Sequence, residues 1–355
     1  MLLSLAAAGA AAVENGDVEE LAPITVMGQR VANLQPASTY ASLATALRYD
    51  PQVNLQARGL PEGQADVTVR GGLFENTGFR IGAVTVFDPQ TGHYAVEIPF
   101  DPAMLATPEV LTDFENGLNS FNASVATVNY GFSPVRAGGG FSAGVGTDDL
   151  LYGSVRASQV RPLDDRRTLG VTISASGSRG DGTLPYGDHD FKRFSGHVQL
   201  SGQGSETNFL LGYHDKFAGW PGMYTGFASL PETDHTKLGL ALIDHRWRTD
   251  RGWLEAGIAY RWLENDYDFD RRTSESGQPG SFEHETRSFS AGLAGMQNGL
   301  GLDWHLSGQF SADRLVRSTD LINGHFNSRS YLSLSLAPGK EWVTASGNII
   351  STRAG

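Results

Sequence analysis

The sequence predicts a mixed α/β domain followed by an antiparallel transmembrane β-barrel, truncated to about eleven strands. Three observations carry this prediction. Period-two alternation of apolar and polar residues takes over from about residue 136. The links between the alternating segments are by turns short and long. Trp, Tyr and Phe gather near the segment ends. A strand with lipid on one face and water on the other must alternate over roughly ten residues, and the turns on the two membrane sides differ in length.

The alternation is read residue by residue. Val171, Ile173 and Ala175 interleave with Thr172, Ser174 and Ser176, and Val198 and Leu200 with His197, Gln199 and Ser201. Ile258, Tyr260 and Trp262 interleave with Gly257, Ala259 and Arg261. Leu306 and Phe310 stand against Ser307, Gln309 and Ser311, and Leu332, Leu334 and Leu336 against Ser333 and Ser335. Strands are expected at 136–147, 150–160, 168–179, 191–203, 206–217, 236–247, 252–268, 282–298, 301–316, 329–338 and 341–352. Short links then fall at 161–167, 204–205, 248–251, 299–300 and 339–340, and long ones at 180–190, 218–235, 269–281 and 317–328. A soluble β-sandwich can alternate with period two, but nothing makes its links alternate in length. Tyr152, Phe191, Trp247, Trp253, Tyr267 and Trp342 fall near strand ends. A half-apolar ring there suits a membrane interface. Ordinary strand-end packing would place any one of them there too.

Composition agrees. Of 355 residues 40% are hydrophobic, mean hydropathy is -0.25 and 44 are glycine. That is too polar for a bundle of membrane helices and too glycine-rich for a long helical protein. There is no cysteine, and the formal net charge is -12. An acidic chain repels phosphates, which disfavours nucleic acid as a partner.

The stretch from Met1 to Val135 differs in texture. Residues 1–12 are apolar and end in small residues. The second half of a secretory signal has that form; a short buried helix is the other reading. Residues 13–30 turn acidic and are expected to be flexible. Residues 31–135 form a compact domain, with a short helix over 38–49 and strands at 52–56, 66–70, 81–87, 109–113 and 126–130. The helix is bounded by Pro51, which cannot continue it. The remainder, 136–355, is the partial barrel.

Five stretches between Glu20 and Phe132 resemble TonB-dependent receptors. Glu20, Leu21, Ala22, Pro23, Ile24, Thr25 and Val26, followed by Met27-Gly28, resemble the TonB box and its strand. Ala46-Leu47-Arg48-Tyr49-Asp50-Pro51-Gln52-Val53-Asn54 resembles the family's "L…PGV" element, and Asp66-Val67-Thr68-Val69-Arg70-Gly71-Gly72 its "IxIRG" strand. Glu97-Ile98-Pro99 with Pro108-Glu109-Val110-Leu111 resembles "IP…IERIEVLRGP", and 119–132 resembles the "SALYGSGAIGGVINI" strand. Two departures stand out: Thr112-Asp113-Phe114 replaces the usual "RGP", and Gly82-Ala83 replaces the usual "DG" hairpin. The resemblance implies a plug domain over 31–135 and an outer-membrane location. It implies contact of residues 20–26 with the energy-transducing protein TonB, and uptake of a siderophore, corrinoid, haem or oligosaccharide. An extended peptide with free backbone can add to a partner's sheet edge, which fits that contact; a plain linker is the other reading. Different functions for the same pattern are a passive porin-like or adhesin barrel and a soluble secreted all-β binding protein.

No G-x-S-x-G, H-E-x-x-H, P-loop or G-x-G-x-x-G pattern occurs. No enzyme activity, cofactor or metal site is therefore predicted. Asp188-His189-Asp190 and the alternating Asp266, Asp268 and Asp270 read as solvated loop and strand-end residues. The ligand-binding candidates are Trp220, Met223, Tyr224 and Phe227 in the longest link, with His93 and Tyr94 in the first domain. Large apolar side chains in a loop are costly to leave in water, so they contact a ligand, the first domain or a neighbouring loop.

Overall fold

The computed structural model describes residues 41–48, 50–60, 62–274, 281–319, 327–343 and 349–353. The signal-like segment 1–12, the acidic segment 13–30 and the TonB-box-like stretch 20–26 lie outside the described residues.

Residues 41–135 make an inner lobe. Helix α1 (Leu43–Leu47) starts at Ser42, whose hydroxyl accepts the Thr45 N–H while the Ser42 N–H reaches Thr45 Oγ1. Helix α1 buries Leu43, Ala44 and Leu47. The reciprocal cap satisfies end groups that so short a helix would otherwise leave open. Strand β1 (Val53–Ala57) pairs antiparallel with β2 (Ala65–Val69). Strands β3 (Thr77–Ile81), β4 (Val84–Val86), β5 (Glu109–Thr112) and β6 (Ala126–Tyr130) form a second sheet in the order β4-β3-β6-β5, with β3 and β6 parallel. The single strand expected over 81–87 is corrected to a hairpin. Gly82 takes a φ of 56° and folds β4 back on β3. Glycine reaches that left-handed region without steric cost. Helix α2 (Asp113–Asn119), not anticipated, follows β5 directly.

Beyond residue 135 the described residues form one antiparallel meander of eleven strands: β7 (Gly138–Val145), β8 (Leu151–Asp164), β9 (Arg167–Gly180), β10 (His189–Gly202), β11 (Ser205–Pro221), β12 (Pro231–Thr249), β13 (Gly252–Asp268), β14 (Ser281–Gly299), β15 (Leu302–Ser318), β16 (Ser328–Val343) and β17 (Ile349–Arg353). A short helix, α3 (Arg271–Ser274), follows β13. The sheet is open, with β7 and β17 at its two edges. Four links at one end are two residues long, at 165–166, 203–204, 250–251 and 300–301. Those at the other end run over 181–188, 222–230, 269–280 and 319–327. Two expectations are corrected. The turn at 339–340 is absent, since Gly339 and Lys340 continue β16 and pair with Arg353 and Thr352. The link expected over 218–235 shrinks, because β11 and β12 pair on up to Pro221↔Pro231 and draw Trp220 into a strand.

The two faces of this sheet are inverted relative to a water-soluble one. Leu332, Leu334 and Leu336 are 68%, 75% and 62% exposed, and Phe194, Ile173, Leu211 and Ile258 also face outward. On the opposite face Ser195, His197, Gln199, Asn208, Gln309 and Ser311 are buried. A soluble protein does not leave a continuous apolar face in water while burying serines and glutamines.

The inner lobe lies against the polar face and shares its core with it. Leu47, Val67, Phe79, Ile81, Phe100, Met104 and Tyr130 belong to one apolar cluster with Leu210, Leu238, Leu240, Leu242 and Leu263 of β11–β13. Three sheet glycines allow backbone contact. A Cβ at Gly212 would meet Pro99 O at 2.5 Å and one at Gly257 would meet Val84 Cγ2 at 2.6 Å. One at Gly292 would overlap the Ala83 carbonyl outright.

Candidate functional site

The long links share one end of the sheet, and the inner-lobe segment 88–97 reaches the same end. Asp66 on β2 anchors it. Its buried carboxylate accepts from Arg58, from Gln64 Nε2 at 2.9 Å and from His93 Nδ1 at 2.7 Å. Burial pushes this carboxyl up, but the hydrogen bonds from His93, Arg58 and Gln64 outweigh burial and hold it below the ordinary value. Hydrogen bonds to the charged form favour that form. The contact with Asp66 therefore fixes the His93 ring by one nitrogen.

His93 begins a chain of rings. It stacks on Phe74 at 4.5 Å between centroids and meets the edge of Tyr224 at 5.6 Å. Tyr224 meets Tyr267 of β13 at 5.1 Å, and Tyr267 stacks on Phe282 of β14 at 6.0 Å. Five half-exposed rings thus run from the inner lobe across the 222–230 link to the sheet. Stacked and edge-on pairs at these separations attract beyond their burial. The Arg58 guanidinium lies 5.4 Å from the Tyr224 ring centroid. A cation at that distance is drawn to the ring face.

Beneath the rings sit two buried acids of β12. Asp234 accepts from Tyr94 Oη at 3.1 Å, Tyr224 Oη at 3.0 Å and Asn265 Nδ2 at 2.6 Å. Glu232 accepts from the Tyr224 and Thr225 N–H groups at 2.7 and 3.2 Å, from the Thr225 hydroxyl and from Tyr267 Oη at 2.9 Å. Period two places both acids on one face of β12, so they hold the link and the inner lobe together. Burial and then the neighbouring Asp234 push the Tyr94 and Tyr224 hydroxyls well above the ordinary tyrosine value, so both remain donors. One layer down, Lys216 of β11 donates to Glu97 Oε2 at 2.8 Å and to Gly63 O at 3.3 Å, and Arg261 Nη2 donates to Tyr94 O at 2.9 Å.

The predicted candidates divide accordingly. His93, Tyr94 and Tyr224 come together. Trp220 and Met223 pack instead on Leu60, Phe191 and Ala218. Gly59, at φ +84°, makes that packing possible, since a Cβ there would stand 2.8 Å from Trp220 Cγ. Phe227 stays 65% exposed at the tip of the link. Asp66, Glu232, Asp234, Asn265, Tyr267 and Phe282 were missed. The alternation of Glu232 and Asp234 just before an apolar strand was the available signal for two of them. Of the polar motifs, Asp188 pairs with Arg271, Asp190 with Lys192 and Asp270 with Arg272.

No protein-family profile and no curated protein matches this chain. Solved structures do match in fold. The copper transporter OprC is 14% identical with a TM-score of 0.60, over 85% of this chain and 49% of that one. The ferric yersiniabactin uptake receptor FyuA from Yersinia pestis is 13% identical with a TM-score of 0.60, over 88% and 57%. A mutant of the ferric enterobactin receptor PfeA from Pseudomonas aeruginosa is 15% identical with a TM-score of 0.60, over 89% and 55%. The chain spans about half the length of these proteins. The fold is that of TonB-dependent receptors.

Proposed function

We propose that this chain is the plug and the first part of the barrel of a TonB-dependent outer-membrane receptor. Such a receptor takes up a scarce, large nutrient, whether siderophore, corrinoid, haem or oligosaccharide. One observation carries the reading: an inner lobe is clamped by buried polar groups to the polar face of a sheet whose other face is apolar. Lipid outside and a filled lumen inside account for both faces. A passive porin would leave that lumen open to water.

In this reading the half-exposed rings from Phe74 to Phe282, with His93 and the link residues Tyr224 and Phe227, meet the ligand at the outer mouth. Tyr94 lies under them and reports to Asp234. Residues 20–26 supply the extended peptide on which TonB pulls. Because the chain has no cysteine, Val26→Cys gives a single thiol. The compartment between the two membranes is oxidising and lets such a thiol pair. Co-expression with a TonB carrying one periplasmic cysteine is expected to yield a disulfide-linked adduct. A protein that fractionates with the outer membrane but forms no adduct from any of positions 20–26 is not a TonB client. Recovery of the protein in the soluble periplasm would remove the barrel reading as well.

A further inference from the structure

A half-open recess of about 330 Å³ lies between the inner lobe and the polar face of β8–β10, nearer the two-residue links than the long ones. Its lobe side is apolar, with Ala103, Met104, Pro134 and Val135. The segment that carries this side is fixed in place. The Val135 N–H donates to Gln199 Oε1 at 2.8 Å, and the Ser133 N–H donates to Met104 O at 3.0 Å. Val135 also packs on bare backbone of β9, since a Cβ at Gly170 would stand 2.5 Å from Val135 Cβ.

The sheet side is polar and cationic. Period two puts Arg156 and Ser158 on one face of β8, Thr172 stands opposite Ser158 on β9, and Arg136 follows the fixed segment. Both guanidiniums are accessible, and neither makes a hydrogen bond or an ion pair among the described residues. No Asp or Glu lines the recess. Asp101, just before Ala103, is occupied: its carboxylate accepts from the Ala103 N–H at 2.9 Å and from the Ser174 hydroxyl. His197, also in the lining, is turned to Asn208 Oδ1 at 2.9 Å. This chain has 39 acidic residues against 27 Lys and Arg, yet two arginines of one recess have no acid. Their missing counter-charge therefore comes from a guest. Ser158 Oγ and Thr172 Oγ1 lie 2.8 Å apart, so one proton joins them and the other is left to donate. The guanidinium fork matches the oxygens of a phosphate or carboxylate, and two such forks without an acid suit a dianion. A phosphomonoester carries nearly two charges above its second pKa of about 6. The apolar lobe side offers nothing to a bare phosphate but would cover an organic remainder.

We propose that this recess binds a small organic phosphate. Arg136, Arg156 and the Ser158–Thr172 hydroxyl pair hold its dianionic head, and Met104 and Val135 cover its organic part. The recess lies toward the opposite end of the sheet from the ring row, so this binding does not depend on transport.

The probe is phenyl phosphate, titrated calorimetrically into the whole chain in a nonionic detergent at about pH 8, where the head is a dianion. Saturable binding is expected. Arg136→Gln and Arg156→Gln should each weaken it about tenfold or more, the worth of a hydrogen bond between charged groups. Arg161→Gln removes the same charge from the opposite face of β8 and should leave the affinity unchanged. Benzoate keeps the ring with a single charge, and inorganic phosphate keeps the charge without a ring, so both should bind more weakly. Absence of saturable heat, full affinity in the Arg136 or Arg156 variant, or an equal loss in the Arg161 variant overturns the proposal. Benzoate or inorganic phosphate binding as tightly as phenyl phosphate overturns it too.

Discussion

Tyr94 Oη donates to Asp234 Oδ1 at 3.1 Å, although 140 positions separate the two residues in the chain. The same carboxylate accepts from Tyr224 of the 222–230 link and from Asn265 of β13. One buried acid therefore joins the inner lobe, an outer link and two sheet strands. Tyr224 and Tyr94 are thereby coupled through one shared acceptor.

Replacing Tyr94 with Phe removes the lobe's share of that junction and leaves Asp234 its two other donors. The expected loss is about 1–2 kcal/mol, for one charge-assisted hydrogen bond and the Asn265 contact. Hydrogen exchange should quicken over 92–98 and stay unchanged in β12 and β13. Uniform loosening of lobe and sheet together would show that Tyr94 is only a packing residue.

Lys216 and Glu97 form the second clamp, and both are nearly fully buried. Lys216→Met strands the Glu97 carboxylate and should destabilise by about 3–5 kcal/mol, whereas Lys216→Met with Glu97→Gln should recover most of that loss. Urea unfolding of the two variants in the same detergent measures the difference. A double variant as weak as the single one would place the cost in packing rather than in the unpaired charge.

Gly292 lets β14 touch the Ala83 carbonyl, where a Cβ would overlap it. Gly292→Ala must push the β3–β4 hairpin off the sheet, and the loss should exceed the roughly 1 kcal/mol of an average point substitution. Gly140→Ala is the control, because a Cβ there meets nothing within 4 Å. Limited proteolysis near residues 82–83 reads the displacement. Equal protection in both variants would contradict the close approach.

Acid should loosen the mouth through Asp66. Its carboxyl is held below the ordinary 3.8, so the native state binds that proton less readily than the unfolded chain. The stabilisation is then fully present above about pH 4 and fades as pH falls through the lower native value. Exchange of the 58–66 amides should rise only below that pH, and Asp66→Asn should remove this step. A step centred near neutrality would point to another group.

The outer face supplies a test of the membrane itself. Leu334 is 75% exposed, so in a soluble protein Leu334→Arg would be nearly neutral. Facing lipid near mid-strand, it should cost about 2–4 kcal/mol. Folding yields into phospholipid vesicles, compared with Leu334→Ala, decide between the two.

The sheet was legible because its cause is local. Each spanning strand wears two faces, so Leu332, Leu334 and Leu336 against Ser333 and Ser335 declare the strand and its orientation without any partner in view. The alternating links follow from the same constraint. Turn chemistry was read less well: Gly339 looked like a stop, yet pairing with β17 carries β16 through it.

What holds the lobe was not legible. Leu238, Leu240 and Leu242 put an apolar stripe on the polar side of β12, and only the packing of Leu47, Ile81 and Phe100 against that side explains it. For Trp220 and Met223 the sequence left ligand, first domain and neighbouring loop open as partners, and only the β11–β12 register and the space left by Gly59 decide for packing. Period and composition determine that this chain makes strands with two faces, because those depend on neighbours two residues away. Only the tertiary structure decides that Asp66 meets His93, Glu97 meets Lys216 and Asp234 meets Tyr94. Such pairs form by closure of long loops, and their partners carry no trace of one another in the local pattern.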